Sequence, residues 1–101
     1  MGCDRISACE ELLQGSDLQQ AAAVRMLNEL AGLGEVRAMH ALGVAFQEGL
    51  GGAADASVAA RWYNEAAELG HIPSALNLGI LHQVGLGVPQ DHSEAAQWYL
   101  A

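Results

Sequence analysis

LGVAFQEGLGGAADASVAARWY, residues 42–63, and LGILHQVGLGVPQDHSEAAQWY, residues 78–99, are two copies of one segment set 36 residues apart. Twelve of these 22 positions are identical: Leu42/Leu78, Gly43/Gly79, Gln47/Gln83, Gly49/Gly85, Leu50/Leu86, Gly51/Gly87, Asp55/Asp91, Ser57/Ser93, Ala59/Ala95, Ala60/Ala96, Trp62/Trp98 and Tyr63/Tyr99. Chance does not produce such a match. A fixed period of about 20 to 50 residues marks stacked supersecondary units, none able to bury its apolar face alone. The same offset carries Gly70 to Gly34, and Ala59 and Ala67 to Ala23 and Ala31, with Ile6 standing for Leu42 and Met26-Leu27 for the Trp-Tyr pair. Residues 1–34 therefore read as a degenerate first unit, 35–70 as the second and 71–101 as the third. Atypical terminal units are expected because they cap the stack.

Each unit reads as two helices. In the second, Val36, Met39, Leu42, Ala45 and Phe46 keep helical spacing up to Gly49, a residue suited to a left-handed helix end. Gly-Leu-Gly makes the turn. Asp55 or Ser57 then caps a second helix through Trp62, Tyr63, Ala66 and Leu69 to Gly70. In the third unit Pro73 suits a first helical turn, and Asp91-x-x-Glu94 has the form of a capping box. The first unit is expected to run from Asp4 to Gln14 and from Ser16-x-x-Gln19 to Leu33. Gly43 and Gly79 fall mid-helix, where Gly costs about 1 kcal/mol relative to Ala. Recurrence at one phase points to a contact too close for a Cβ, expected against the small faces Ala59-Ala60 and Ala95-Ala96, with Trp62 and Trp98 as knobs between helices.

With 101 residues the chain has room for one small domain. Half of it is apolar, and with 19 Ala against five aromatics its core must come from closely approaching backbones. Twelve Asp and Glu stand against four Arg and no Lys, a formal charge of −8. That balance repels nucleic acid and anionic lipid and argues against both as partners. Without Lys there is no phosphate-loop nucleotide site, Schiff-base chemistry or Ser-Lys hydrolase. Residues 72–90 carry no Asp, Glu, Lys or Arg, yet their prolines, glycines, Asn77, His82 and Gln83 do not suit a membrane span.

No basic-then-apolar pattern opens the sequence, and the opening Met1-Gly2-Cys3 has Ile6 where a myristoylation signal has Ser or Thr. Cys3 and Cys9, on one helix, would be about 9 Å apart along its axis, beyond the roughly 7 Å reach of a disulfide. They are expected as free thiols, which lean to a reducing, cytoplasmic compartment. No G-x-S-x-G, H-E-x-x-H or Ser-x-x-Lys occurs, so no catalytic residue, metal ligand set or cofactor is assigned. Glu65 and Glu68 read as a solvated face, His71 and His92 as surface residues at helix ends, and ligand spacing around His82 is absent.

The pattern A-x-x-x-L-G-x-x-aromatic-x-x-G-x-G, then Asp, then A-x-x-W-Y-x-x-A-A-x-x-G, runs from Ala38 to Gly70 and again from Ser74 to Tyr99. It resembles the Sel-one-like repeat family, relatives of tetratricopeptide repeats, closely over residues 35–101 and weakly over 1–34. His82 at the aromatic position filled by Phe46, Ser74 for the opening Ala, and Gly52-Ala53 where the third unit has Val88-Pro89 depart from the pattern. The resemblance implies an all-α fold, an α/α superhelical solenoid of about three 36-residue helix-turn-helix repeats. It also implies a scaffold or adaptor that holds a protein or peptide ligand. Some cysteine-rich relatives have been described as β-lactamase-like, so a small hydrolase is the alternative, though this chain lacks their cysteine pairs and any Lys.

In the tetratricopeptide-like arrangement the first helix of each pair lines the concave face. The partner-binding residues implied are Arg37, His40, Val44, Gln47 and Glu48 from the second unit and Asn77, Ile80, Gln83 and Val84 from the third. Amides over an apolar floor suit an extended peptide whose backbone needs partners. The third unit ends at Ala101, roughly two turns earlier than the second, which is the expectation for a piece of a longer repeat protein. A face around Leu81, Ala95, Trp98 and Tyr99 is then expected to be open and to pair with a second copy as a homodimer.

Overall fold

The computed structural model describes residues 5–100, with the side chains of 6–99. Among the described residues there are six helices and no strand: α1 (Arg5–Leu12), α2 (Asp17–Gly32), α3 (Val36–Glu48), α4 (Ala56–Glu68), α5 (Ile72–Val84) and α6 (His92–Leu100). Their ends follow from the repeat. Gly49 and Gly85 close α3 and α5 in the left-handed conformation, each at φ 75. Asp55 Oδ1 accepts from the backbone N–H groups of Ser57 and Val58, and Asp91 Oδ1 from those of Ser93 and Glu94. These bonds satisfy N–H groups that a helix start leaves without partners. Ser16 and Gln19 form the expected reciprocal capping box on α2. Asp91 and Glu94 do not complete theirs: the Asp91 N–H donates instead to the His82 carbonyl at 2.8 Å, and the Glu94 carboxylate lies 3.9 Å from His82 Nε2.

Helices pack on their neighbours in sequence, most densely within α3–α4 and α5–α6, as a solenoid requires. One core cluster joins α1, α2 and α3 around Ile6, Cys9, Leu27 and Leu42; a second joins α4 and α5 around Ala59, Tyr63, Leu78 and Leu81. Cys9 is a buried thiol in the first cluster, and burial, reinforced by Glu10, pushes its pKa up. Cys3 and the Met1-Gly2-Cys3 opening lie outside the described residues. No helix among the described residues is long and apolar enough to cross a membrane.

Two expectations are corrected. Gly43 and Gly79 do meet something too close for a Cβ, but it is the ring of Tyr63 and of Tyr99, not the Ala59-Ala60 and Ala95-Ala96 faces. A flat ring laid across a helix needs a position without a side chain, and Tyr63 gains complete burial there. The supposed open face is also largely closed. Leu81 is 1% and Ala95 3% exposed, Trp98 is half-buried, and only Tyr99, at 40%, keeps a substantial surface. Helices α5 and α6 pack along each other and bury Leu81 of α5 and Ala95 of α6 between neighbouring helices.

The turn between the helices of a pair locks onto the preceding pair. Gly51 approaches the backbone of Gln20 and Ala21 in α2, and Gly87, one period later, that of Ala56 and Ser57 in α4. Gln20 fastens the first of these joints. Its Nε2 donates to the Leu13 carbonyl at 3.0 Å, and its Oε1 accepts from the Gly51 N–H at 3.1 Å.

Candidate functional site

A helix places residues three and four apart on one face, and this puts Val44, Gln47 and Glu48 of α3 beside Asn77 and Ile80 of α5. With Tyr63 they line a pocket of about 200 Å³. Five of the residues expected in the groove therefore stand together. Tyr63, expected only as part of the second helix of its unit, is the sixth. Its hydroxyl donates to Gln47 Oε1 at 2.7 Å, and its repeat mate Tyr99 donates to Gln83 Oε1 at the same distance. Burial pushes the Tyr63 phenol up to about 12; the Asn77 amide pulls it down and the Glu48 carboxylate adds to the rise. The hydroxyl thus keeps its proton, and its hold on Gln47, across ordinary pH.

The other expected residues lie elsewhere. Arg37 points to α1, where its Nη2 donates to Ser7 Oγ at 3.5 Å and lies 3.8 Å from Glu10 Oε1. The sequence could not show this, because the first unit is too degenerate to place α1 against α3. Gln83 is exposed and engaged with Tyr99 and, through its carbonyl, with Gln90 Nε2 at 2.9 Å; Val84 is exposed.

His40 is half-buried behind the pocket. Its ring centroid is 5.4 Å from that of Tyr63 and 4.9 Å from that of His71. Fully buried Ser74 sits between the imidazoles, with Oγ 2.7 Å from His40 Nδ1 and 2.8 Å from His71 Nδ1. With both rings neutral, the hydroxyl gives its one proton to one ring and accepts N–H from the other. His71, expected as a plain surface residue, is thus the half-buried N-cap residue of α5 and part of a cluster.

Burial, and then the neighbouring His71, holds the His40 pKa below the usual imidazole value. A folded-state value below the unfolded one means that the unfolded chain takes up the proton first. The stability from neutral His40 is complete above about pH 6.5 and is lost as pH falls below it. Thermal melts should therefore be level from pH 8 to 7 and decline on acidification, less steeply in His40→Asn. An equal slope in that variant would remove His40 as the cause.

Among the described residues no three His, Cys, Asp or Glu side chains come together as a metal site. The family model for the Sel1 repeat matches residues 36–71 and 72–101. The crystal structure of a Sel1 repeat protein from Oxalobacter formigenes is similar at a TM-score of 0.84 and 31% identity, over 94% of this chain and 74% of that one. That of c5321, a protective antigen present in uropathogenic Escherichia coli strains and displaying an SLR fold, is similar at 0.78 and 34%. There the match covers 80% of this chain and 17% of that one. No curated protein matches. Two tandem repeat matches covering most of the chain, on paired helices whose capping and Gly–Tyr contacts recur every 36 residues, show that the chain belongs to the Sel1 repeat family.

Proposed function

We propose that this protein is an interaction scaffold whose α3–α5 face holds an extended segment of a partner protein, with a Lys or Arg side chain of that segment in the pocket beside Glu48. The Sel1 repeat fold is generally a protein–protein interaction scaffold, and the family is typically non-enzymatic. The observation that carries the finer reading is the charge of the pocket. Glu48 is its one ionised group and makes no ion pair among the described residues. Around it stand the Gln47 and Asn77 amides and the Tyr63 hydroxyl, over Val44 and Ile80. Arg37, near the other end of α3, is about 16 Å along the helix axis from Glu48. With a net charge of −8 the whole chain favours a cationic partner.

The hydrolase alternative gains no support. Ser74 meets two imidazoles, but it is fully buried and shared between them, and so offers no nucleophile to a substrate.

A displayed peptide library selected on the protein tests the reading. Enriched sequences should carry Lys or Arg, and Glu48→Gln should weaken a selected peptide about tenfold, ~1.4 kcal/mol. Enriched peptides without positive charge, bound equally by the variant, would contradict the cation pocket.

A further inference from the structure

A second hollow lies away from the α3–α5 face. About 410 Å³ opens between α4, α5 and α6, lined by Ser57, Ala60, Arg61 and Asn64 of α4, Leu78 and His82 of α5, Glu94 and Trp98 of α6, and Gly87 and Val88 of the turn. We propose that it is a second binding site, for a small amphipathic carboxylate: Arg61 holds the carboxylate, and Trp98, Leu78 and Val88 take the apolar body.

The preceding repeat is an internal control. Thirty-six residues earlier, Arg25 and Asn28 stand for Arg61 and Asn64, Leu42 for Leu78 and Trp62 for Trp98, so much of the frame is shared. Five of the ten lining positions change: Ala21, Val24, Phe46, Gly52 and Val58 become Ser57, Ala60, His82, Val88 and Glu94. In the earlier repeat Phe46 packs against both core clusters, and the space beside it and Val24 is about 70 Å³. One repeat later the smaller Ala60 and His82 stand where Val24 and Phe46 fill the space, and the hollow is larger. A packed interface gains nothing from this exchange. The His82 side chain is 15% exposed, its Nδ1 is buried without a hydrogen-bond partner, and its Nε2 stands 3.9 Å from Glu94. Buried polar atoms normally find partners, and local departures from good packing concentrate at functional sites.

The chemistry of the walls selects the ligand. Ser57, Arg61 and Asn64, at i, i+4 and i+7, form one polar stripe on α4. Arg61 is exposed and makes no ion pair among the described residues, so its planar fork is available for a bidentate carboxylate. Glu94 belongs to the opposite wall, on α6, beside His82. The size and the mixture of apolar wall with a few polar groups are those of small-ligand sites. The acidic charge elsewhere is screened beyond about 8 Å at physiological salt.

The test is a titration of the intact chain with alkanoates and arylalkanoates from acetate to 4-phenylbutyrate, together with 4-phenylbutyramide, followed at the two Trp indole N–H resonances. Saturable movement at Trp98 and none at Trp62 is expected with 4-phenylbutyrate, and binding of the uncharged amide at least about tenfold weaker. Arg61→Gln should lose the same factor with an unchanged melting temperature. His82→Phe, which installs the residue of the preceding repeat, should abolish binding in a chain at least as heat-stable as the parent. The proposal is overturned if no carboxylate moves Trp98 at millimolar concentration, if acid and amide bind alike, or if Arg61→Gln keeps its affinity.

Discussion

Replacing Gly87 by Ala is expected to lower stability by about 2 to 5 kcal/mol, the sum of an overpacked contact and a left-handed backbone at a residue with a Cβ. The new Cβ would fall on the backbone of Ala56 and Ser57, and Gly87 is held at φ 76. Backbone at a helix start has no flexible end to swing aside, so the two repeats must separate. For a chain of this size each kcal/mol corresponds to about 4 to 8 °C in melting temperature. Gly51→Ala should follow at a smaller cost, since its Cβ would meet the Gln20 carbonyl oxygen at 2.9 Å. Gly70→Ala separates the two contributions. Its φ is 93 but nothing lies within 4 Å of the added Cβ, so it should show the backbone penalty alone. Thermal melts that place Gly70→Ala level with Gly87→Ala would remove the close inter-repeat contact from the account.

The second large effect separates two chemically identical substitutions. Gly43→Ala and Gly79→Ala both gain about 1 kcal/mol of helix propensity, and both push a Cβ toward a tyrosine ring. Tyr63 is fully buried in the second core cluster and cannot move, so Gly43→Ala should be destabilising by about 1 to 2 kcal/mol net. Tyr99 is 40% exposed, and the added Cβ would meet its Cε1 at 2.7 Å, a ring edge able to swing outward. Gly79→Ala should therefore be near neutral. Chemical denaturation of the pair measures the difference directly; equal losses would mean that the ring contact is not what fixes these glycines.

The repeat made the helices legible because every boundary residue occurs twice: Gly49 with Gly85 at helix ends, Asp55 with Asp91 at helix starts. It also showed that Gly43 and Gly79 meet a close neighbour. It could not say which neighbour, since Ala59 and Tyr63 both recur, lie four residues apart on one face of α4, and are distinguished only by the stagger of α4 against α3. That Val44, Gln47, Glu48, Asn77 and Ile80 share one face was legible because the phase of a helix dictates it. The cluster of His40, His71 and Ser74 was not. At the same offset its positions hold Leu76, Glu35 and Ala38, so it exists once and no periodicity announces it.

The central claim is that a partner segment lies along α3 and α5. A peptide selected for binding should be titrated into isotopically labelled protein and its effects mapped by chemical-shift changes, alongside affinities for the Asn77→Ala, Glu65→Ala and Glu68→Ala variants. Shifts at Val44, Gln47, Glu48, Tyr63, Asn77 and Ile80, with affinity lost in Asn77→Ala and kept in the two Glu variants, are the predicted result. Shifts centred on α4 around Glu65 and Glu68, with Asn77→Ala binding as tightly as the parent, would contradict it.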